Sequence, residues 1–529
     1  MASSRLAIFI IFFSIVIAVA LRIAGTSAKT IWATDESPSY LNAAGQGCKY
    51  YDLVLAEQQP IGEWVPALAW KKFLRIERPF CFGEIAHSLS RFDIHPPLYF
   101  WLLHLWALIF GIHDWTGPSL NIVISVFSIL CLYGLARRVL RNPVEAAVVA
   151  FTWALSPAVF HMSFEARHYD LLALVAILFV RQIVRLTDPA TEPQRRDYIF
   201  LALLTAAGAL THYYFSIFVA GGGLYALIKL AGQQRRRLFG GIVAVLCGYA
   251  VFFLLHPNFY NSFRNEQKEV GVFSNDDFIA RLENVLNTFK QFFSTPISPR
   301  YLLLGAIMAW LLFVLRTKRL LPFCRDVDFT GARMLYFFAW PAAAQIALYL
   351  AYLSPQHAAL PKHFSMAWPF LAFLPVFILR LFKKFQIHLT ILFWLFIIVA
   401  AVRGLQYFND FAASQPDPAA TLQRASAVIL DNASMNVLPR IMIKLPDSTP
   451  AFAASRDALR QQPATWLNHL DSNAVYISVN APIFNNNATG QEAIVDLLRQ
   501  NCEIEFIKKG AWGFGDIVLI KRKLPAALP

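Results

Sequence analysis

The apolar positions of this chain gather in runs of about 20 residues, the length that crosses the hydrocarbon core of a bilayer. The first run, LAIFIIFFSIVIAVALRIAG, begins just after Arg5. It is longer than the apolar stretch of a signal peptide, about 7–15 residues, and predicts a retained first span with its N-terminus inside. Residues 29 to 94 then form a long polar loop. The next run, PPLYFWLLHLWALIFGI over 96–112, reads either as a span or as an amphipathic helix lying in the interface.

Charge separates the two readings. With 96–112 in the interface, later spans fall at 117–136, 144–161, 169–186, 198–212, 214–230, 239–255, 301–316, 333–353, 364–380 and 387–405. With the first, that makes about eleven. Five basic clusters then share the cytoplasmic side: Arg137, Arg138 and Arg141; Arg185, Arg195 and Arg196; Arg235, Arg236 and Arg237; Arg316, Lys318 and Arg319; Arg380, Lys383 and Lys384. The short outer loops keep only Arg167 and Lys362. Lys and Arg in short loops stay inside, and counting 96–112 as a span would place all five clusters outside. The interfacial reading is therefore the predicted one.

The outer side carries two long loops, 29–116 with interfacial helices and 256–300, and a tight hairpin at THYYF. From 406 the apolar runs stop and Asp, Asn, Gln and Pro rise. NAVYISVN predicts a strand, EIEFIKKGAWGFGDIVLIKRK a hairpin, and DPAATLQRASAVIL, AASRDALRQQ and TGQEAIVDLLRQN predict helices. The expected organisation is a transmembrane domain over 1–405 and a small extracytoplasmic α/β domain over 406–529.

Composition agrees with this pattern. Of 529 residues 57% are hydrophobic and 15% charged, against about 25% charged in a soluble chain. That excludes a soluble enzyme and a disordered protein. The net charge of +14 would suggest nucleic acid in a soluble protein; here the cytoplasmic clusters absorb it, and no nucleic-acid partner is expected. The six cysteines show no zinc-site spacing. Cys48 and Cys81 share the first loop, and whether they are bonded stays open.

The candidate chemistry lies at the outer boundaries. Asp35-Glu36 follows the first span and offers a general base with a partner that tunes it; the bland alternative is a solvated loop acid. His95-Pro96-Pro97-Leu98-Tyr99 opens the interfacial helix, whose N-terminus attracts anions. Glu165-Ala166-Arg167-His168-Tyr169-Asp170 places four ionisable groups beside the bilayer, which is costly unless they pair or function. Arg167 has the planar fork of donors that suits phosphate; a Glu165–Arg167 boundary ion pair is the plainer reading. His212-Tyr213-Tyr214 closes the hairpin, where tyrosine is also ordinary belt material. Lys362-His363 opens a late span, where a lysine also snorkels.

DESPSYL, HPPLYFWLLHLW, EARHYDLLAL and KHFSMAWPFLAFL, in that order over residues 1–405, resemble the GT-C superfamily of polytopic glycosyltransferases. The similarity is to the branch of protein O-mannosyltransferases, lipid A aminoarabinose transferases and lipopolysaccharide-core galacturonosyltransferase-like proteins. The resemblance implies a mainly α bundle with interfacial helices in the first outer loop and a polyprenyl-phosphate sugar donor. It implies Asp35 as catalytic acid with Glu36 beside it. It also implies donor and substrate contacts at His95, Tyr99, Glu165, Arg167, His168, Tyr169, His212, Tyr213, Lys362 and His363. Lys362-His363 departs from the Arg-Tyr pair usual there. A divalent metal stays open, with Asp35, Glu36 and His95 the candidate ligands.

The reading is then an inverting glycosyltransferase of the bacterial inner membrane. Its site and tail are periplasmic, and its acceptor is a lipid, glycan or protein of the cell envelope. Within enzymes the rival is an oligosaccharide or phosphoethanolamine-type transferase. From other classes the rivals are a transporter or flippase of a lipid-linked glycan, and an assembly protein whose tail binds a partner. A transporter would carry ionisable groups mid-span and broken helices.

Overall fold

The structure is a computed structural model. It describes residues 2–262 except 34, 94 and 233, then 361–373, single positions at 376, 380, 406, 409 and 410, and the segments 419–431, 436–470, 474–479, 491–511 and 515–522. The expected spans at 301–316, 333–353 and 387–405 and most of the second outer loop lie outside the described residues. Two compact units emerge. One holds residues 1–26, 94–99 and 117–410; the other holds 27–93, 100–116 and 411–529. The first loop and the tail thus belong to one unit.

The first unit is helical. Among the described residues three helices are long and apolar enough to cross a membrane: Ser4–Ala28, Thr116–Leu140 and Arg235–Leu255. Their exposed faces carry Ile8, Phe9 and Phe12, Phe127 and Leu130, and Phe239, Leu246 and Leu254, side chains that suit lipid. Shorter helices run Tyr169–Thr187, Arg195–Thr211 and Phe215–Leu230. The run expected as one span over 144–161 is broken. It folds as Pro143–Ala154, Pro157–Phe160 and a 3-10 turn His161–Phe164. Pro157 has no N–H to give the preceding turn and disfavours helical backbone at Ser156. Asn142 starts the first piece by accepting from the N–H groups of Val144 and Glu145 at 3.0 and 3.3 Å.

The second unit pairs loop helices with a sheet. Leu98–Phe110, whose first residues belong to the other unit, is 13 residues long. At 1.5 Å per residue that is about 20 Å, short of the roughly 30 Å hydrocarbon core. His104 on it is fully buried and structural: Nδ1 lies 2.6 Å from the Ala43 carbonyl, and Nε2 accepts from the Phe80 N–H at 3.0 Å. Cys48 and Cys81 are free thiols.

The six strands are β1 Trp64–Pro66, β2 Val428–Asp431, β3 Pro450–Ala454, β4 Ala474–Val479, β5 Cys502–Ala511 and β6 Gly515–Arg522. Their order in the sheet is β1-β3-β2-β4-β6-β5. β2 runs parallel to β3 and β4, with Ile429 opposite Phe452 and Tyr476; the outer pairings are antiparallel. β2 is buried along its whole length, as strands covered on both faces are. Trp466, Leu459, Ile494 and Leu498 pack on Ile429, Phe452, Tyr476 and Val518 to form its core.

Candidate functional site

Helix length brings three histidines together. Tyr169–Thr187 and Arg195–Thr211 have 19 and 17 residues, about 28 and 26 Å, and a short loop joins them into an antiparallel pair. The loop end is locked. Asp197 accepts from the Gln194 N–H at 2.8 Å and pairs with Arg185 at 2.7 Å, and Gln182 donates to the Asp197 carbonyl at 2.8 Å. At the other end His168 precedes the first helix and His212 follows the second, and helices of similar length set them side by side with ring centroids 5.0 Å apart. His95 precedes the helix Leu98–Phe110. Its ring lies 4.8 Å from that of His168 and 5.9 Å from that of His212. One nitrogen from each ring falls within 4.8 Å of the others.

Basic groups surround them. Arg167, 3% exposed, brings Nη2 to 3.0 Å from His95 Nε2 and 3.3 Å from Nδ1. A guanidinium only donates, so His95 supplies the lone pair. The Tyr214 N–H donates to His212 Nδ1 at 3.3 Å, which leaves Nε2 of the neutral ring as the N–H. His168 is fully buried, and among the described residues neither of its nitrogens has a hydrogen-bond partner. Lys362 Nζ lies 3.2 Å from Glu165 Oε2 and 5.7 Å from the centre of the Tyr169 ring. The Glu165 carbonyl accepts from Asn121 Nδ2 at 2.6 Å and from the Arg167 N–H at 2.7 Å, which fixes the turn. Burial first, then His95, His212, Arg167 and Lys362, hold His168 well below the usual imidazole range.

Beside this cluster Asp170 and Arg22 are both fully buried and act on each other electrostatically. Arg22 Nε donates to Ser163 Oγ at 2.9 Å and Nη1 to the Ala154 carbonyl at 3.2 Å. Neither Arg22 nor Asn121 was singled out in the sequence. The signal was there, a charge and an amide inside apolar runs. Tyr213 turns elsewhere: its hydroxyl lies 2.9 Å from His256 Nε2, among Phe252 and Phe259. Tyr99 is fully buried in the first turn of its helix. Lys362 and His363 share the 3-10 turn Pro361–Phe364.

In the other unit, Asp35 is the half-buried N-cap residue of the helix Glu36–Ala43, and its side chain makes no capping bond. Glu36 is fully buried with both oxygens 2.8 Å from Lys29 Nζ and one 2.6 Å from the Ala33 N–H. At least three of its roughly four lone-pair sites are thus taken. Three imidazoles are also a metal-ligand type, but each would have to offer a lone pair. One on His95 faces Arg167, and that of His212 Nδ1 faces a backbone N–H. Two further cations stand beside them. The donors and charges suit an anion.

The profile described as dolichyl-phosphate-mannose-protein mannosyltransferase matches residues 94–260, a stretch that contains His95, Arg167, His168 and His212. The crystal structure of ArnT from Cupriavidus metallidurans bound to undecaprenyl phosphate is 12% identical, covers 96% of this chain and 97% of that one, and gives a TM-score of 0.51. The chain shares the fold of that structure. The apo state of the same ArnT gives 12%, the same coverage and a TM-score of 0.48. The oligosaccharyltransferase of Archaeoglobus fulgidus, in complex with zinc and sulfate, is 11% identical, covers 82% of this chain and 62% of that one, and gives 0.42. No curated protein sequence matches the chain. In this fold the histidine cluster marks where three helices begin or end, at residues 98, 169 and 211.

Proposed function

We propose that the chain is an integral-membrane glycosyltransferase that takes a sugar from a polyprenyl-phosphate donor and passes it, with inversion, to a cell-envelope acceptor on the outer face. The observation that carries this reading is the meeting of Arg167, Lys362, His95, His168 and His212 in one unit. Such a group of donors and cations is matched to a phosphate ester. ArnT, whose fold this chain shares, was crystallised with undecaprenyl phosphate, which supports a lipid-borne phosphate in particular. When the bond between the anomeric carbon and the phosphate oxygen breaks, the phosphate goes from one negative charge to two. The cluster is then arranged to stabilise the leaving group more than the donor, as a catalyst must.

Asp35 takes the acceptor proton in this reading. Glu36 holds the turn instead, because Lys29 and the Ala33 N–H already use its oxygens. One base and one displacement give inversion. Arg167 and Lys362 bind and orient the phosphate, and the bilayer holds the lipid tail.

Lipid extracts compared by mass spectrometry test the proposal. Cells lacking the gene, or carrying Asp35→Asn or Arg167→Ala, should accumulate a sugar-linked polyprenyl phosphate and lose the glycosylated acceptor. Unchanged lipid profiles in all three, with the variants expressed at wild-type levels, would overturn it.

A further inference from the structure

The helix Tyr169–Thr187 has the histidine cluster at its first residue and a separate cavity at its last. Its 19 residues span about 28 Å, close to the roughly 30 Å of a hydrocarbon core, so the two lie at opposite membrane faces. The cavity holds about 380 Å³, and its lining includes Thr187, Asp188, Tyr225, Lys229 and Gln234. Small-ligand sites measure about 300–1,000 Å³. The acid in the lining is already used. Asp188 Oδ2 accepts from Arg138 at 3.1 Å and Thr191 at 3.2 Å, Oδ1 from the Ala190 N–H at 3.0 Å, and the carbonyl from Arg237 at 3.1 Å. Two groups are left. Among the described residues Lys229 pairs with no carboxylate, and its Nζ lies 5.9 Å from the centre of the Tyr225 ring. Gln234 Oε1 is buried, and among the described residues no donor reaches it. Nearby Asp197 is taken up by Arg185 at 2.7 Å, so Arg138, Lys229 and Arg237 leave an excess of positive charge around the cavity. Its rim is apolar. Leu224 and Ile228 stand one residue back from Tyr225 and Lys229, about 100° round the helix, and both are exposed. On the helix that follows Gln234, Phe239 and Ile242 are exposed as well.

We propose that this cavity binds the headgroup of an anionic glycerophospholipid of the phosphatidylglycerol type. Its phosphodiester sits on Lys229, a glycerol hydroxyl donates to Gln234 Oε1, and its acyl chains run along Leu224 and Ile228. Basic pockets between helices at a membrane face hold such headgroups. The positive excess selects a headgroup of net negative charge. A choline headgroup is neutral overall and has no hydrogen to give Gln234. The apolar rim decides for a lipid over free phosphate, which has no chains to lay against it. A lipid held here joins the ends of Tyr169–Thr187 and Phe215–Leu230 to the start of Arg235–Leu255. It therefore stabilises the helices whose far ends carry the histidine cluster. The site stands apart from the sugar-transfer reading and does not depend on it.

Full-length delipidated protein in detergent tests this by native mass spectrometry and thermal unfolding. It is titrated with phosphatidylglycerol, with phosphatidylcholine of the same acyl chains, or with inorganic phosphate. Phosphatidylglycerol should be retained at about one per chain and raise the unfolding temperature, as a ligand of the folded state does. The other two at the same concentration should do neither. Lys229→Gln should weaken phosphatidylglycerol about fivefold, the worth of one basic group at a lipid surface, and Lys229→Arg should restore it. Gln234→Leu, which removes the acceptor, should weaken it too. Arg195→Gln removes an equal charge at the same end of the bundle but outside the lining, and should change binding little. If Lys229→Gln and Arg195→Gln act alike, the face is only diffusely basic and the proposal is overturned. Equal retention of the choline lipid overturns it, and so does an equal rise in unfolding temperature with phosphate, which would make the ligand a free anion. These readouts follow lipid binding and not transfer, so their failure leaves the sugar-transfer reading in place.

Discussion

At the scale of single residues, the protonation of buried histidines is set by what they touch. His256, fully buried at the end of Arg235–Leu255, sits beside the Tyr213 hydroxyl, and burial pushes its pKa down to about 4. In the unfolded chain it titrates near 6.5. A lowered histidine pKa means that the unfolded state binds the proton first, so its contribution to stability is present above about pH 6.5 and fades as pH falls toward 4. Thermal unfolding in detergent should show the gap between wild type and His256→Gln closing from pH 7 to about pH 5. A constant gap would show that the histidine does not titrate on unfolding. The histidines of the cluster were legible in the sequence because each stands where a helix starts or stops: before the prolines at 96–97, before Tyr169, and after Thr211. What no sequence pattern carries is the direction of each hydrogen bond. That His95 accepts from Arg167 and His212 from the Tyr214 N–H follows from the folded geometry, and those bonds decide which lone pairs the cluster can still offer.

At the scale of elements, the site depends on close packing behind it. Arg195–Thr211, which ends at His212, packs against Arg235–Leu255 over much of its length. Gly248 makes this approach possible. A Cβ there would lie 2.5 Å from the Ala202 carbonyl oxygen and 2.7 Å from Thr205 Cβ. Backbone cannot swing aside as a side-chain tip can, so Gly248→Ala should cost about 1–3 kcal/mol. Gly241 on the same helix has nothing within 4 Å of its Cβ position, and Gly241→Ala should be neutral or stabilise by about 0.5–1 kcal/mol through lost backbone freedom. Denaturation of the two variants in detergent checks the pair. Equal behaviour would mean that the helices do not meet at Gly248. Apolar run length locates helices well, but it treats 144–161 as uniform. The break at Pro157 is a matter of one missing N–H, which run length does not weigh.

At the scale of the whole chain, the least legible feature is the grouping of the first loop with the tail. β1 is three residues long, too short for an alternation signal, and its partner β3 lies near the other end of the chain. Its place is nonetheless specified by many bonds. The Gly62 N–H donates to the Ala453 carbonyl at 2.8 Å, Ala67 to Thr449 at 2.9 Å and Leu68 to Asp447 at 3.1 Å. Lys71 pairs with Asp447 at 2.7 Å, Lys444 with Asp114, and buried Arg440 donates to the Trp32 carbonyl at 2.6 Å. The loop that carries Asp35 is therefore ordered by the tail, and the tail has a role in holding the proposed base. A chain ended after Asp410 leaves β1 with no neighbour, Lys71 with no carboxylate and the Trp32 carbonyl without its guanidinium. Cleavage by a protease follows the population of the open form, so residues 57–71 should be cut at least about tenfold faster in the truncated chain than in the full one. Arg440→Ala removes the guanidinium bond to the Trp32 carbonyl, a bond to a charged group worth about 1.5–3 kcal/mol, and should give an intermediate rate. If the truncated chain is cut no faster there, the loop holds its own shape, and the tail must be assigned some other task.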